Sequence, residues 1–428
     1  MSQQHETIVK AVFFRDPELW RFTLVAVALL AYGLLSAPAP QDFGSGELLV
    51  AVLMTFAVGI GRPAAFATGA LLIHPTLRYR DTVGCVVFFL LLWLPLLRGV
   101  ILEWETRTIL RDILPLVFLF LPVLLVRERG FHSRRPVDIL AGGLAAAGLA
   151  FTLRWWAGTG WAFGAIGLHP LSDGSQYLLN SPTVLFAALW LPIVAVTLLW
   201  PELAGPRLKT LKPMVRYALA LLFLSLAVPI EAALAATVHR MALGMVAGSG
   251  LLFLIWCSRR TPGPALLAAA GLSAVLIAVG GPLTGALEMV AIKSQQVGWN
   301  ERFAEMDAVL TQLGRSLLSL LFGDGWGTLV ANPAVGGWRV SYTHSFATYL
   351  LLKTGIAGAL TMLCWLAALA PSALRLLRYD TPLALAALPP VLGGLLLHTS
   401  FKYLCFGLLL TLVVSAAETT PDPPPSRQ

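Results

Sequence analysis

Residues 183–200 read TVLFAALWLPIVAVTLLW and contain no charged side chain. As a helix, a run of this length and composition can cross a hydrocarbon core roughly 30 Å thick. Similar apolar runs recur along most of the chain. We therefore interpret residues 183–200 as one span of a polytopic membrane protein, in which lipid surrounds most side chains.

The overall composition agrees with this interpretation. Of the 428 residues, 57% are hydrophobic and only 12% are charged, whereas soluble domains carry about twice that charged fraction. The net charge of +8 has an ordinary source, because cytoplasmic loops of membrane proteins collect Lys and Arg. No nucleic-acid partner is therefore expected. The four cysteines show no CxxC spacing, which indicates neither a zinc site nor a disulfide framework.

The apolar runs predict an all-α, polytopic bundle of about twelve spans. The second run is too long for one simple crossing, and Gly61-Arg62-Pro63 is expected to break it. The predicted spans are residues 21–37, 47–74, 82–98, 109–126, 137–155, 183–200, 214–238, 241–257, 264–282, 346–369, 383–400 and 403–417.

The basic residues predict the orientation. A cytoplasmic N-terminus places most of the 30 lysines and arginines on the cytoplasmic side, as the positive-inside rule requires. The chain then divides into a cytoplasmic N-terminus (1–20), nine spans (21–282), an outer loop (283–345), three spans (346–417) and a disordered cytoplasmic tail (418–428). Residues 156–182 form a second outer loop.

The outer loop 283–345 is the longest predicted segment between spans. Residues 288–321 have helical apolar spacing, which predicts one or more helices lying over the membrane. Gly323-Asp324-Gly325-Trp326-Gly327-Thr328 follows and predicts a tight turn that glycine permits.

Three residues on the outer side are candidates for catalysis. A neutral imidazole at His344, where the loop enters the tenth span, could take a proton from a hydroxyl; the alternative is a capping or hydrogen-bonding histidine at the helix start. Arg302 and Arg240 carry planar guanidinium groups suited to a phosphate. The alternatives are an intrahelical ion pair of Arg302 with Glu305 and a headgroup anchor at Arg240.

Further polar residues near the same membrane face are candidates for substrate contact. Charged groups near a bilayer are costly, which makes each of them a functional hypothesis. The chain has no Asp-x-Asp motif, no phosphate-binding loop for ATP and no His-x-x-x-His spacing. We therefore expect metal-free transfer from a membrane-borne donor, with no cofactor. The candidate substrate-binding residues are His239, Arg154, Lys402, His398 and Tyr342.

The stretch Gly323–Gly327, followed by His344-Ser345 and Gly355-Ile356-Ala357-Gly358, resembles the signature of the O-antigen ligase and polymerase superfamily. Ser345 stands where that family usually has Asn. His239-Arg240 falls where the family has Ser-Arg-Gly, and Arg302 where it has an arginine early in the large periplasmic loop. The predicted span layout is similar across nearly the whole chain.

The resemblance implies a function and a role for each matched residue. In that family, a glycan moves from undecaprenyl diphosphate to a hydroxyl at the periplasmic face of the bacterial inner membrane. Arg240 and Arg302 would bind the diphosphate, and His344 would activate or orient the acceptor hydroxyl. The acceptor of a ligase is a lipid A-core sugar, and that of a polymerase is another lipid-linked repeat unit. The compact loop and the chain length favour the ligase.

Two functions of another class stay open at this stage. A transporter or flippase for a lipid-linked glycan would show repeated halves and ionisable residues near the middle of the membrane. Glu231, after Pro229, is the clearest ionisable residue within a predicted span. A structural membrane protein would leave His344 without a task. The gathering of polar candidates at the outer face favours surface chemistry.

Overall fold

The computed structural model describes residues 17–39, 44–59, 80–126, 133–161, 176–200, 202–203, 211–237, 239–263 and 300–419. Within these ranges the chain is almost entirely helical. The first part contains α1 (Pro17–Leu35), α2 (Ser45–Val58), α3 (Arg80–Phe88), a π-helical turn (Phe89–Trp93), α4 (Leu94–Ile101), α5 (Thr106–Leu119), α6 (Leu121–Leu125), α7 (Arg135–Gly158), α8 (Gln176–Leu179), α9 (Pro182–Leu199), α10 (Pro213–Ala236) and α11 (Arg240–Arg260).

The second part begins at residue 300 and includes a short β-hairpin. Strands β1 and β2 pair antiparallel, with Val330 opposite Val340, so the all-α prediction misses this small element. The elements are α12 (Asn300–Leu313), α13 (Leu317–Phe322), β1 (Val330–Asn332), a 3-10 turn (Pro333–Val335), β2 (Trp338–Val340), α14 (Phe346–Tyr379), α15 (Thr381–Leu396), a 3-10 turn (Thr399–Lys402) and α16 (Leu404–Glu418).

Seven helical segments in the described part of the chain are long and apolar enough to cross a membrane. The prediction of a helical membrane protein is confirmed at this level. Three shorter apolar helices, α2, α15 and α16, accompany them. The seven segments are Glu18–Leu35, Gly84–Ile101, Arg135–Gly158, Pro182–Leu199, Pro213–Ala236, Arg240–Arg260 and Phe346–Tyr379.

The predicted spans differ from the observed helices at several places. The predicted span 109–126 is divided at Phe120 into α5 and α6, because Pro122 has no N–H to continue the helical ladder. The tenth span is longer than predicted and reaches Tyr379. The predicted break at Gly61-Arg62-Pro63, the ninth span 264–282, loop residues 283–299 and tail residues 420–428 lie outside the described residues.

Helix α7 lies at the centre of the bundle and packs against α1 and α9. A Cβ atom added at Gly148 would lie 2.2 Å from the carbonyl oxygen of Thr183, at the start of α9. Small residues that let helix backbones approach closely are typical of membrane helix interfaces. Near its C-terminal end, α7 buries Trp155 and Trp156 completely. The close approach fixes where the ends of these helices meet.

The glycine-rich turn after α13 is confirmed and is bonded to three helices. Gly323, Gly325 and Gly327 all have positive φ angles, which glycine adopts readily. Gly325 N–H donates to the Lys353 carbonyl of α14 at 3.1 Å. Trp326 N–H donates to the Pro95 carbonyl of α4 at 3.0 Å. The turn therefore holds the segment between α12 and α14 against the bundle.

A buried ion pair underlies this turn. The Lys353 ammonium donates to the Asp112 carboxylate at 2.5 Å and to the Thr328 carbonyl at 2.6 Å. Gly327 N–H donates to the same carboxylate at 2.9 Å. The Lys353 and Asp112 side chains are 0% and 4% exposed. Helices α5 and α14 are thereby joined to the turn by charge.

Helix α14 is interrupted where the turn touches it. Gly355 has φ 64° and ψ −168° inside the helix. A Cβ atom added there would lie 2.4 Å from the backbone nitrogens of Gly323 and Phe322. The two glycine motifs that the sequence separates by about thirty residues are therefore in direct backbone contact.

Removing one member of the ion pair should destabilise the fold strongly. Lys353→Met leaves the Asp112 carboxylate buried and unpaired, which costs about 3–5 kcal/mol. The free energy of unfolding in detergent micelles, measured by denaturant titration, should fall by that amount. Lys212→Met, at an exposed lysine, is the matched control and should change little. Adding Asp112→Leu to Lys353→Met should restore part of the lost free energy of unfolding. If Lys353→Met and Lys212→Met lowered the free energy of unfolding equally, the ion pair would not have the importance stated here.

The glycine turn offers a second comparison. Gly325→Ala places a methyl group 2.4 Å from the Gly99 backbone nitrogen at φ 86°, whereas Gly337→Ala, at φ 79°, meets nothing within 4 Å. Both substitutions cost about 1–2 kcal/mol in backbone strain, and overpacking adds about 1–3 kcal/mol at Gly325 alone. Unfolding temperatures should therefore fall further for Gly325→Ala. Equal shifts would show that the contact with Gly99 is unimportant.

Candidate functional site

His344 lies immediately before α14 and is held by a carboxylate. Its backbone N–H donates to Glu305 Oε2 at 2.8 Å, and its ring Nδ1 lies 3.1 Å from Glu305 Oε1. Ser345 is the N-cap of α14, and its hydroxyl accepts from Thr348 N–H. The neighbouring serine therefore performs the capping, and the bonds of His344 to Glu305 agree with the alternative of a hydrogen-bonding histidine at the helix start. Serine is among the preferred N-cap residues, as is asparagine.

Glu305 is fixed in place before any ligand binds. Its side chain is 1% exposed, against 35% for His344. The Asn332 side-chain amide donates to Glu305 Oε1, and Asn332 Oδ1 accepts from Ala334 N–H at 2.9 Å. An ionised carboxylate accepts hydrogen bonds, which assigns the ring proton of neutral His344 to Nδ1. The Nε2 lone pair is then available to take a proton.

Arg302 lies one turn before Glu305 on α12. Its Nη2 donates to the Leu397 carbonyl at 2.6 Å. This bond ties the start of α12 to the connection between α15 and α16. The guanidinium is therefore positioned beside His398, the residue that follows Leu397.

His398 lies beside His239, which comes from a different connection. The two ring centroids are 6.4 Å apart. His239 precedes α11; its Nε2 lies 3.2 Å from Asn180 Oδ1, and its Nδ1 accepts from Ala242 N–H. Burial lowers the pKa of His398 to about 3, and the charges of His239, His344 and Arg302 add to the effect. His398 is therefore a neutral imidazole near the positive charge of Arg302.

Lys402 lies over aromatic faces in the same connection. Its ammonium nitrogen is 4.0 Å from the Tyr349 ring centroid and 5.5 Å from that of Tyr342. Tyr342 in turn contacts His344, with ring centroids 6.0 Å apart. Burial lowers the pKa of Lys402 to about 7, although Asp112 opposes the shift. Aromatic faces stabilise the charged form of the amine.

The remaining two predicted site residues are placed differently. Arg240 begins α11 directly after His239 and is partly buried. Arg154, on α7, donates through its guanidinium to the carbonyls of Gly33 and Ser36. No contact among the described residues joins Arg154 to His344. Arg154 therefore connects α7 to the end of α1.

A cavity lies next to the segment that carries His344. Its volume is about 280 Å³, and it is lined by Glu105, Arg107, Thr108 and Arg111. Arg111 Nη2 donates to Ser341 Oγ at 3.2 Å. The cavity walls therefore carry positive charge close to the His344 segment.

Sequence reasoning missed three polar residues of this site. The sequence indicates Glu305 only as an intrahelical partner of Arg302, whereas it binds His344, which is 39 residues away. The sequence motifs do not indicate Asn332 or Asn180. Asn332 stands before Pro333, a position that indicates a turn, and this was the only local signal for it.

The assembled site can bind an anion and move a proton. His344, Arg302, His398, His239, Tyr342 and Lys402 are connected by the contacts given above, and each lies at or beyond a helix end. Within the described ranges, no group of three or more His, Cys, Asp or Glu is arranged to hold a metal ion. No protein-family model matches the chain, and no curated protein matches it.

The shift at Lys402 predicts a pH dependence of stability. Between pH 7 and 10.5 the unfolded lysine binds a proton that the folded lysine releases, so stability rises with pH across this window. The unfolding temperature of the wild type, relative to Lys402→Met, should therefore increase from pH 7 to pH 9. Scanning fluorimetry in detergent at one-unit intervals measures this. A difference that stays constant with pH would contradict it, and Lys212→Met should show no trend.

Proposed function

We propose that the protein is a membrane-embedded glycosyltransferase of the O-antigen ligase type. It moves a glycan from undecaprenyl diphosphate to a lipid A-core hydroxyl at the periplasmic face of a bacterial inner membrane. The observation that carries the proposal is the pairing of His344 with buried Glu305, with Arg302 and His398 close by. The resemblance of the glycine and histidine motifs supports the same function.

The proposed chemistry follows from the groups present. His344 Nε2 removes the proton from the acceptor hydroxyl, and the oxygen attacks the anomeric carbon of the donor sugar. The bond between that carbon and the diphosphate oxygen breaks, and undecaprenyl diphosphate leaves with the electron pair. Arg302 and Arg240 stabilise the charge of the leaving group. Glu305 stabilises the imidazolium that forms on His344.

Glu305 acts in this scheme as a positioning residue. Because it accepts from Nδ1, it keeps Nε2 directed away from itself and fixes the tautomer. The Asn332 amide and the backbone N–H of His344 satisfy other lone pairs of the carboxylate. A buried carboxylate held in this way is ready for the developing imidazolium without rearrangement.

Membrane lipids surround the protein in this proposal, and the acceptor distinguishes two related activities. A lipid A-core sugar makes the protein a ligase; another lipid-linked repeat unit makes it a polymerase of O-antigen or exopolysaccharide. The compact segment between α12 and α14 and the length of the chain favour the ligase. The substrate in both cases enters as an amphiphile with its diphosphate at the headgroup level.

Substitution of the proposed catalytic residues should abolish surface polymer. His344→Ala and Arg302→Ala should each remove the lipopolysaccharide ladder on a gel while lipid-linked polymer accumulates and protein level stays normal. Arg315→Ala, at an exposed arginine on the same outer segment, is the matched control and should leave the ladder intact. In a purified assay, His344→Ala should lower kcat by about 10²–10⁴-fold, with a smaller loss in Glu305→Gln.

Other outcomes of this experiment point to other functions. Single-repeat caps in place of a ladder would indicate a polymerase. Substrate retained in the inner leaflet would indicate a transporter or flippase. An intact ladder in both His344→Ala and Arg302→Ala would refute the enzymatic role of these residues.

A further inference from the structure

His398 contains a polar atom that the protein leaves unsatisfied. Its ring Nδ1 is buried and has no hydrogen-bond partner among the described residues. An unpaired buried donor or acceptor costs about 1–3 kcal/mol. Such atoms are rare in folded proteins and call for an explanation. A ligand that binds at this nitrogen would supply one.

The neighbouring side chains are already engaged elsewhere. His239 bonds through Nε2 to Asn180 and through Nδ1 to Ala242 N–H. His344 Nδ1 is taken by Glu305. Arg302 donates to the carbonyl of Leu397, directly before His398, so the guanidinium and the imidazole are held in fixed relation. The missing partner of His398 must therefore come from outside the described chain.

The surrounding charge indicates what kind of partner fits. The Arg302 guanidinium places positive potential at His398, while the Glu305 carboxylate is bonded to His344 and Asn332. Positive potential favours an anionic oxygen over a hydroxyl. The pKa of His398, lowered to about 3 by burial, keeps the ring neutral, so it donates one N–H.

We propose that His398 is a ligand-contacting residue whose Nδ1–H donates to a phosphate oxygen of the donor diphosphate, beside Arg302. This inference rests on the proposed function and adds a named contact to it. The neutral donor binds a phosphate oxygen without adding another full charge to a site that already carries Arg302. Arg302 supplies the positive charge, and the N–H of His398 fixes the orientation of the bound phosphate oxygen.

The experiment measures binding alone, without glycan transfer. Farnesyl diphosphate, farnesol and phosphatidic acid are titrated into the purified full chain in phosphatidylcholine nanodiscs. His398→Leu removes the N–H, His398→Asn keeps an amide near the position of Nδ1, and His398→Gln moves it toward that of Nε2. We expect affinity for farnesyl diphosphate to fall about tenfold in His398→Leu, or about 1.4 kcal/mol. His398→Asn should stay within about threefold of the wild type.

The variants and the three ligands together distinguish the possible results. His398→Gln should bind farnesyl diphosphate more weakly than His398→Asn, which keeps the inference testable if His398→Leu fails to fold. Farnesol should bind all variants equally. An equal loss of phosphatidic acid binding would assign the contact to an ordinary lipid headgroup and overturn the inference.

Failure of the inference and failure of the proposed function are distinguishable. If Arg302→Ala loses farnesyl diphosphate but His398→Leu does not, the His398 contact is wrong and the transferase proposal stands. If the wild type binds no farnesyl diphosphate, both are wrong.

Discussion

The ion pair between Lys353 and Asp112 is the interaction on which the arrangement of residues 300–345 depends. It lies at the point where α5, α14 and the glycine-rich turn meet, and both side chains are almost fully buried. A buried pair of this kind contributes more to uniqueness than to net stability, because desolvation offsets much of its attraction. In this protein the ion pair mainly fixes the position of the turn relative to α5 and α14. With the turn bonded to α14 at Lys353, the start of α14, and with it His344, has one place to lie.

The candidate site itself is built from chain ends, each fixed by a short-range bond. Arg302 is tied to Leu397, His239 to Asn180 and His344 to Glu305. No single helix carries the site. Side chains at helix ends can converge on one place while the helices supply rigidity. A site assembled in this way is preorganised, which lowers the cost of binding and of stabilising charge.

Local sequence patterns predict a large part of this structure, but they do not predict contacts between residues that are far apart in the sequence. Apolar runs predicted the helices, and glycine spacing predicted the turn, because both depend on neighbouring residues. The cost of a charge near a bilayer indicates Arg302, and a neutral imidazole at the start of a predicted span indicates His344. The partner of Lys353 is 241 residues away, and no local signal marks Asp112. Glu305 lies three residues after Arg302, so the local sequence predicts an ion pair within the helix. It gives no sign of the contact with His344.

The charge balance of the site argues for its use. Lys353 and Arg111 disfavour the charged form of Lys402, and Arg302 disfavours that of His398, whereas the Glu305 carboxylate is already bonded to His344 and Asn332. Such a group of cations raises the free energy of the empty protein, because the positive charges repel one another in a partly desolvated place. An anion removes that repulsion on binding. The same electrostatic energy that disfavours the empty site therefore favours the binding of an anion.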